Sequence, residues 1–114
     1  MAKLNVIING DEDNLIPAPV DNSAASGVSV IVAALATRLL RIYKLALVVS
    51  AATTLTFEDT NSGELWGPLD FTAAGTIVLD FDTKPWFEPT RGLGFQMNST
   101  NAVSITGGVY YTQH

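Results

Sequence analysis

The residues able to do chemistry in this chain are few and dispersed. There is no cysteine, and the single histidine is His114, the final residue. A cysteine nucleophile, a thiolate metal site and a disulfide are therefore excluded. A serine nucleophile needs a base held beside it. No serine here lies in a nucleophile-elbow pattern, and His114 is expected to fray rather than serve as a positioned base. Paired carboxylates could in principle cleave glycosidic bonds. Most of the eleven acidic residues, however, fall at expected turns or strand ends, where they read as solvated charge. "DEDN" at 11–14 offers oxygen ligands but lacks the spacing and glycine of a calcium loop. "GLG" at 92–94 is too short for a phosphate-binding loop, and "NST" at 98–100 is a glycosylation acceptor only in a secreted chain. The expectation is no enzyme, no cofactor and no metal.

One stretch stands apart, "DTKPWFEPTRGLGF" at 82–95. Pro85 and Pro89 cannot donate to a sheet ladder, so residues 84–91 should form a loop or corner between strands. Trp86 and Phe87 then either plug one end of a small core or form an apolar tip held out to a partner. Arg91 would stand beside that tip, where it could pair with an acid or stack on an aromatic ring. Trp and Arg are favoured at interface hot spots. Both roles can hold at once, with one ring turned inward and its neighbour outward.

The elements around this corner read as β. From Val28 onward Val, Ile, Thr, Tyr and Phe dominate, with turn residues at the spacing of an all-β sandwich or barrel. Strands are expected at 28–36, 39–50, 53–59, 64–71, 75–82, 93–98 and 102–111. Asn61 and Gly63 in "DTNSGE" suit the positive φ of a hairpin turn. "AAG" at 73–75 and "NSTN" at 98–101 are further turn clusters, and the Gly107-Gly108 pair suggests a bulge or a close neighbouring backbone. The alanine-rich tract 28–52 could be drawn as a helix, but its β-branched residues favour two strands. In the second of these, Leu40, Ile42, Ala46 and Val48 would share one face. Phe57, Phe71, Phe81 and Phe95 are expected in the core.

Residues 1–27 differ in character. A short strand at 4–8 precedes "NGDEDNLIPAPVDNSAASG", which has neither helical nor strand periodicity and reads as an extended N-terminal arm, either a floppy terminus or one that orders on a neighbouring subunit. Leu15, Ile16 and Pro17 are its apolar part, suited to lying on a neighbouring subunit. The chain thus divides into an arm, 1–27, and a β-sandwich domain, 28–114.

Composition narrows the function class. Hydrophobic residues make up 47% and charged residues 15% of the 114, an apolar excess that hints at burial between subunits. Net charge is −5, with the arm carrying Lys3 against four acids. Neither part is a basic footprint, so direct nucleic-acid binding is not expected. The opening residues do not form a signal peptide. The tract 28–55 is long enough to cross a bilayer, but Arg38, Arg41 and Lys44 interrupt it, so no membrane span is expected.

The order of segments over residues 33–114 carries a resemblance. "RIYKLALV" (41–48) is followed by "SAATTLTFED" (50–59), "LWGPLDFTAAGTIVLDF" (65–81), "PWFEPTRGLGFQMN" (85–98) and "VSITGGVYYTQ" (103–113). Together they resemble the small β-sandwich proteins of tailed-phage structural gene clusters, among them capsid decoration or cement proteins. The resemblance implies an antiparallel jelly-roll-like sandwich that assembles as a homotrimer. It also implies a place on the outside of the phage head, bound to the major capsid protein, after synthesis in the host cytoplasm. The interface candidates are then Leu15, Ile16, Pro17, Trp86, Phe87 and Arg91. A second expectation is a glycan- or receptor-binding module in which Trp66 and Trp86 stack on sugars near Asp80 or Asp82. A third is another head-completion or tail protein.

Overall fold

The computed structural model describes the backbone of residues 4–8 and 11–114, and side chains over 15–22 and 26–114. The described residues form seven strands and no helix: β1 (Leu4–Ile8), β2 (Asp11–Val32), β3 (Leu40–Val49), β4 (Thr53–Asp59), β5 (Glu64–Phe71), β6 (Gly75–Leu79) and β7 (Phe95–Gln113). All pairings are antiparallel. The main path runs β1-β2-β7-β3-β6, and a branch carries β4 on β7 and β5 on β4.

The branch arises because β2 and β7 form one long ribbon that changes neighbours along its length. The first part of β7 pairs Phe95–Ser99 with Asp59–Leu55 of β4. Its later part pairs Ile105 to Gln113 with β3. Between these, register slips at Asn22, Ala25 and Gly27 bend the ribbon, as bulges do. The sheet therefore curls into an antiparallel half-barrel in which β1, β5 and β6 each pair with one strand only. Inside lie Leu40, Ile42, Leu45, Leu47 and Val49 of β3, facing Leu55, Phe57, Phe95, Met97, Ile105 and Val109.

The strands from 40 to 79 lie within a few residues of the expected ones, and the strand reading of the alanine-rich tract is correct. Three differences have physical causes. Residues 98–101, expected as a turn, continue β7 through the bend. Residues 11–27 are extended as expected of an arm, but they belong to β2, which runs without a break across 27 and 28. The prolines hid this. β1 pairs with β2 only as far as Leu15, so the missing N–H groups of Pro17 and Pro19 fall on an unpaired margin, where proline costs no ladder bond. Finally, β3 slips register between Ile42 and Lys44. One extra residue reverses the alternation beyond it, so Leu45, Leu47 and Val49 join Leu40 and Ile42 in the core. Ala46 and Val48, expected on that inner face, lie on the outer one, and Val48 is exposed.

A turn and a mid-strand glycine show how local chemistry fixes the curl. At the β4–β5 hairpin, Asp59 Oδ1 accepts from the amides of Asn61 and Gly63, both at 2.9 Å. The positive φ falls on Ser62 (64°), not on Asn61 or Gly63. At Gly107, φ is +140°, and a Cβ there would collide with the Ala46 carbonyl. The close backbone approach expected at the glycine pair is thus the β3–β7 contact itself.

Candidate binding cleft between two tryptophans

The corner 82–95 is fixed by one backbone clamp. β6 pairs with β3 only over Leu45–Val49, which leaves that margin of β3 open at Ile42. Phe87 takes it: Ile42 N–H donates to Phe87 O at 2.9 Å, and Ile42 O accepts from Trp86 N–H at 2.7 Å and, more weakly, from Phe87 N–H at 3.4 Å. Extended residues alternate in direction, so the clamp turns one ring in and the next one out. Phe87 is 6% exposed and Trp86 is 45% exposed. Phe87 sits among Phe57, Phe95 and Trp66, with ring centroids 5.5, 5.2 and 5.9 Å away, the spacing of favourable aromatic pairs.

Trp86 is exposed but not loose. Its indole N–H donates to the Asp80 carbonyl at 2.7 Å. Across from it stands Trp66 of β5, 40% exposed and stacked on Phe57 at 6.2 Å. With Leu65, Leu79 and Phe87 the two tryptophans line a shallow cavity of about 150 Å³ at one end of the gap between β5 and β6. Both tryptophans of the chain therefore serve one cleft, walled by aromatic rings and aliphatic side chains. Such a surface takes an apolar side chain or the flat apolar face of a ring by stacking and desolvation. Asp80 and Asp82 flank it, but their carboxylates are engaged locally. Asp80 lies 3.7 Å from Lys44 Nζ and accepts from Phe81 N–H, and Asp82 accepts from Thr83 N–H.

The other interface candidates lie elsewhere. Arg91 donates through one guanidinium nitrogen to the carbonyls of Thr37 and His114, each at 3.0 Å, so it ties the 33–39 loop to the chain end instead of facing Trp86. That tie, with reciprocal 2.9 Å bonds between Leu39 and His114, holds the terminus that was expected to fray. Leu15 is buried against Tyr43 with Tyr110 beside them. Ile16 and Pro17 are half-buried and paired with Tyr111 and Tyr110 across the ribbon. The structure thus brings Trp86 and Phe87 together and leaves Leu15, Ile16, Pro17 and Arg91 apart from them.

Trp66 was paired with Trp86 only in the sugar-binding expectation, and Leu65 and Leu79 had no motif to join them, since only the curl of the sheet makes them neighbours. A larger hollow of about 350 Å³ lies on the outer face over Pro17, Pro19, Ala46 and Gly108. It exists because glycines and alanines leave the backbone uncovered, and Tyr110 is the one aromatic residue that lines it, against three in the cleft. The cleft carries more binding chemistry despite its size. Of the expected core rings, Phe57 and Phe95 are fully buried and Phe71 packs partly on the core. Phe81, expected in the core, is exposed: β6 ends at Leu79, and the ring rests on the outer side against Tyr43 at 5.8 Å. Among the described residues no group of three or more His, Cys, Asp or Glu is placed to hold a metal ion, and the "DEDN" side chains lie outside them. Comparison with protein-family models, with curated protein sequences and with solved structures finds no match to this chain.

Proposed function

We propose that the protein is a non-enzymatic binding protein of a virus particle, a decoration protein that attaches to the outer surface of a phage head and stabilises it. The observation that carries this reading is the Trp66–Trp86 cleft. Both rings stand roughly half in solvent, Trp86 held by a backbone clamp and an indole hydrogen bond and Trp66 by stacking on Phe57, and preorganised aromatic anchors are what strong interfaces are built around. The resemblance of the segment order to small phage β-sandwich proteins supports the partner class, the major capsid protein. A jelly-roll-like relation between the two halves of the curled sheet is part of the same proposal. So is a role for the N-terminal residues as an attachment arm. A ligand that binds only the assembled, expanded lattice stabilises it by mass action, and many copies make modest contacts sufficient.

Co-sedimentation with expanded and unexpanded undecorated phage heads tests the reading. Saturable binding to expanded heads, lost in Trp86→Ala, supports it. Absence of binding to any head form would remove it. One observation favours a second reading: two tryptophans in one small cleft flanked by Asp80 and Asp82 also suit a sugar ring. Both tryptophans report on the cleft, so a saturable change of intrinsic fluorescence on glycan titration would favour a receptor-binding module instead.

A further inference from the structure

We propose that two copies of this chain pair edge to edge through β6, with Gly75–Leu79 running antiparallel to its twofold mate about Ile77. This goes beyond the binding role of the cleft and stands independently of it.

The inference starts from a contrast between two of the strands that pair on one side only, β5 and β6. β5 bonds only to β4, and its sequence carries Glu64, Pro68 and Asp70, the charges and proline that blunt an edge. β6 bonds only to β3, and "GTIVL" has no charge and no proline. Among the described residues no other backbone hydrogen bond reaches 75–79. Both faces of this strand are also incompletely covered. Val78 is 58% exposed on the outer face, while Ile77 and Leu79 pack on the core yet remain half-buried. A flat, apolar, unprotected edge is a template for another strand.

Charge and side-chain size fit a second copy and set its direction. Centred on Ile77, antiparallel pairing sets Gly75 opposite the partner's Leu79 and Thr76 opposite the partner's Val78. Asp80 then meets the partner's Ala74, and Phe81 lies over the partner's Ala73, a turn with no side chain beyond Cβ to obstruct the exposed ring. An in-register parallel pairing would instead set Asp80 against the partner's Asp80, roughly 4.8 Å away, at a cost from like charge. The outer faces also continue each other, because Val48 and Ala46 lie beside Thr76 and Val78 on β3. The contact is small, at or below the roughly 1,200 Å² of a typical specific interface, so the dimer should dissociate on dilution.

Pairing does not fill the tryptophan cleft. Gly75 offers no side chain to the partner's Leu79, so each cleft stays open. The two Leu79 residues lie four residues apart along the joined strands, roughly 14 Å. One dimer would thus present two aromatic clefts, a bivalent arrangement that multiplies weak attachment on a repeating surface.

Sedimentation of the full chain over a wide concentration range tests this against the homotrimer that the resemblance implies. The expected result is a monomer–dimer equilibrium, weakened at least tenfold by Val78→Lys and by Thr76→Lys. Both side chains are exposed in the single copy, so thermal unfolding of these variants measured at low concentration should match wild type. Val28→Lys, on an exposed position of β2 away from β6, should dimerise as wild type does. A monomer at every concentration, a trimer, or a dimer as stable in both β6 variants as in wild type would each overturn the proposal.

Discussion

Adjacent aromatic residues with opposite fates allow a sharp test of the clamp at Ile42. Phe87→Ala removes a ring that is 6% exposed and in contact with three other rings. The surrounding β-strands cannot collapse into the space, so the loss combines transfer and cavity terms, about 3–5 kcal/mol. Trp86→Ala removes a larger ring, but one already 45% exposed, and water occupies the vacated space. About 100 Å² of apolar surface is uncovered, roughly 2.5 kcal/mol at 25 cal/mol/Å². Compactness of the unfolded chain lowers this to about 1.5–2 kcal/mol. Urea unfolding at constant m should therefore show the Phe87 variant losing about 1.5 to 3 times as much as the Trp86 variant. In thermal unfolding the two should differ by roughly 5–15 °C at about 4 °C per kcal/mol. Equal losses would mean that Trp86 is a core residue and that the cleft is not a surface held open. In that event Trp86→Ala could no longer be used to separate attachment from folding.

Other tests address different joints of the fold. Gly107→Ala should cost about 3 kcal/mol or more, because it combines a positive φ with overlap on the Ala46 carbonyl. Gly92→Ala shares a positive φ (89°) but has no atom within 4 Å of the added carbon, so it should cost only about 1–2 kcal/mol; chemical denaturation of the pair isolates the overlap. Gln96→Ala removes the 2.7 Å donor to the buried Glu58 carboxylate, and a loss of about 1–3 kcal/mol is expected in the same assay. Arg91→Ala should leave global stability within about 1 kcal/mol but speed hydrogen exchange at the His114 and Leu39 amides, whose bonds depend on a held chain end.

Local alternation made much of this architecture legible. The strands from 40 to 79 follow from β-branched residues and turn chemistry, and the opposed fates of Trp86 and Phe87 follow from two prolines around an extended pair. What escaped depends on pairing at a distance. The bulge after Ile42 inverts the inward residues of β3, and its one trace in "RIYKLALVV" is Lys44, which spoils a strict alternation by falling on the side of Leu40 and Ile42. β2 was obscured by Pro17 and Pro19, whose placement makes sense only once β1 is known to stop at Leu15. The cleft was half visible: Trp66 and Trp86 were paired in the sugar-binding expectation, but Leu65, Leu79 and Phe87 joined them only through the curl of the sheet. Arg91 illustrates the reverse case, a residue of interface type spent on carbonyls of its own chain.

The ribbon of β2 and β7 also governs when this molecule can exist during its synthesis. Ile16 pairs with Tyr111 and Val20 with Gly107, so the central strand pair cannot form until residues through Tyr111 have left the ribosome. High separation between paired residues slows folding, toward milliseconds to seconds for β-rich domains of this kind. Throughout that wait "GTIVL" has been made but lacks its finished surroundings, and an uncharged apolar strand is the segment most prone to pair with a neighbouring nascent chain. The edge we assign to dimerisation is therefore also the place where crowded synthesis on one message would first go astray.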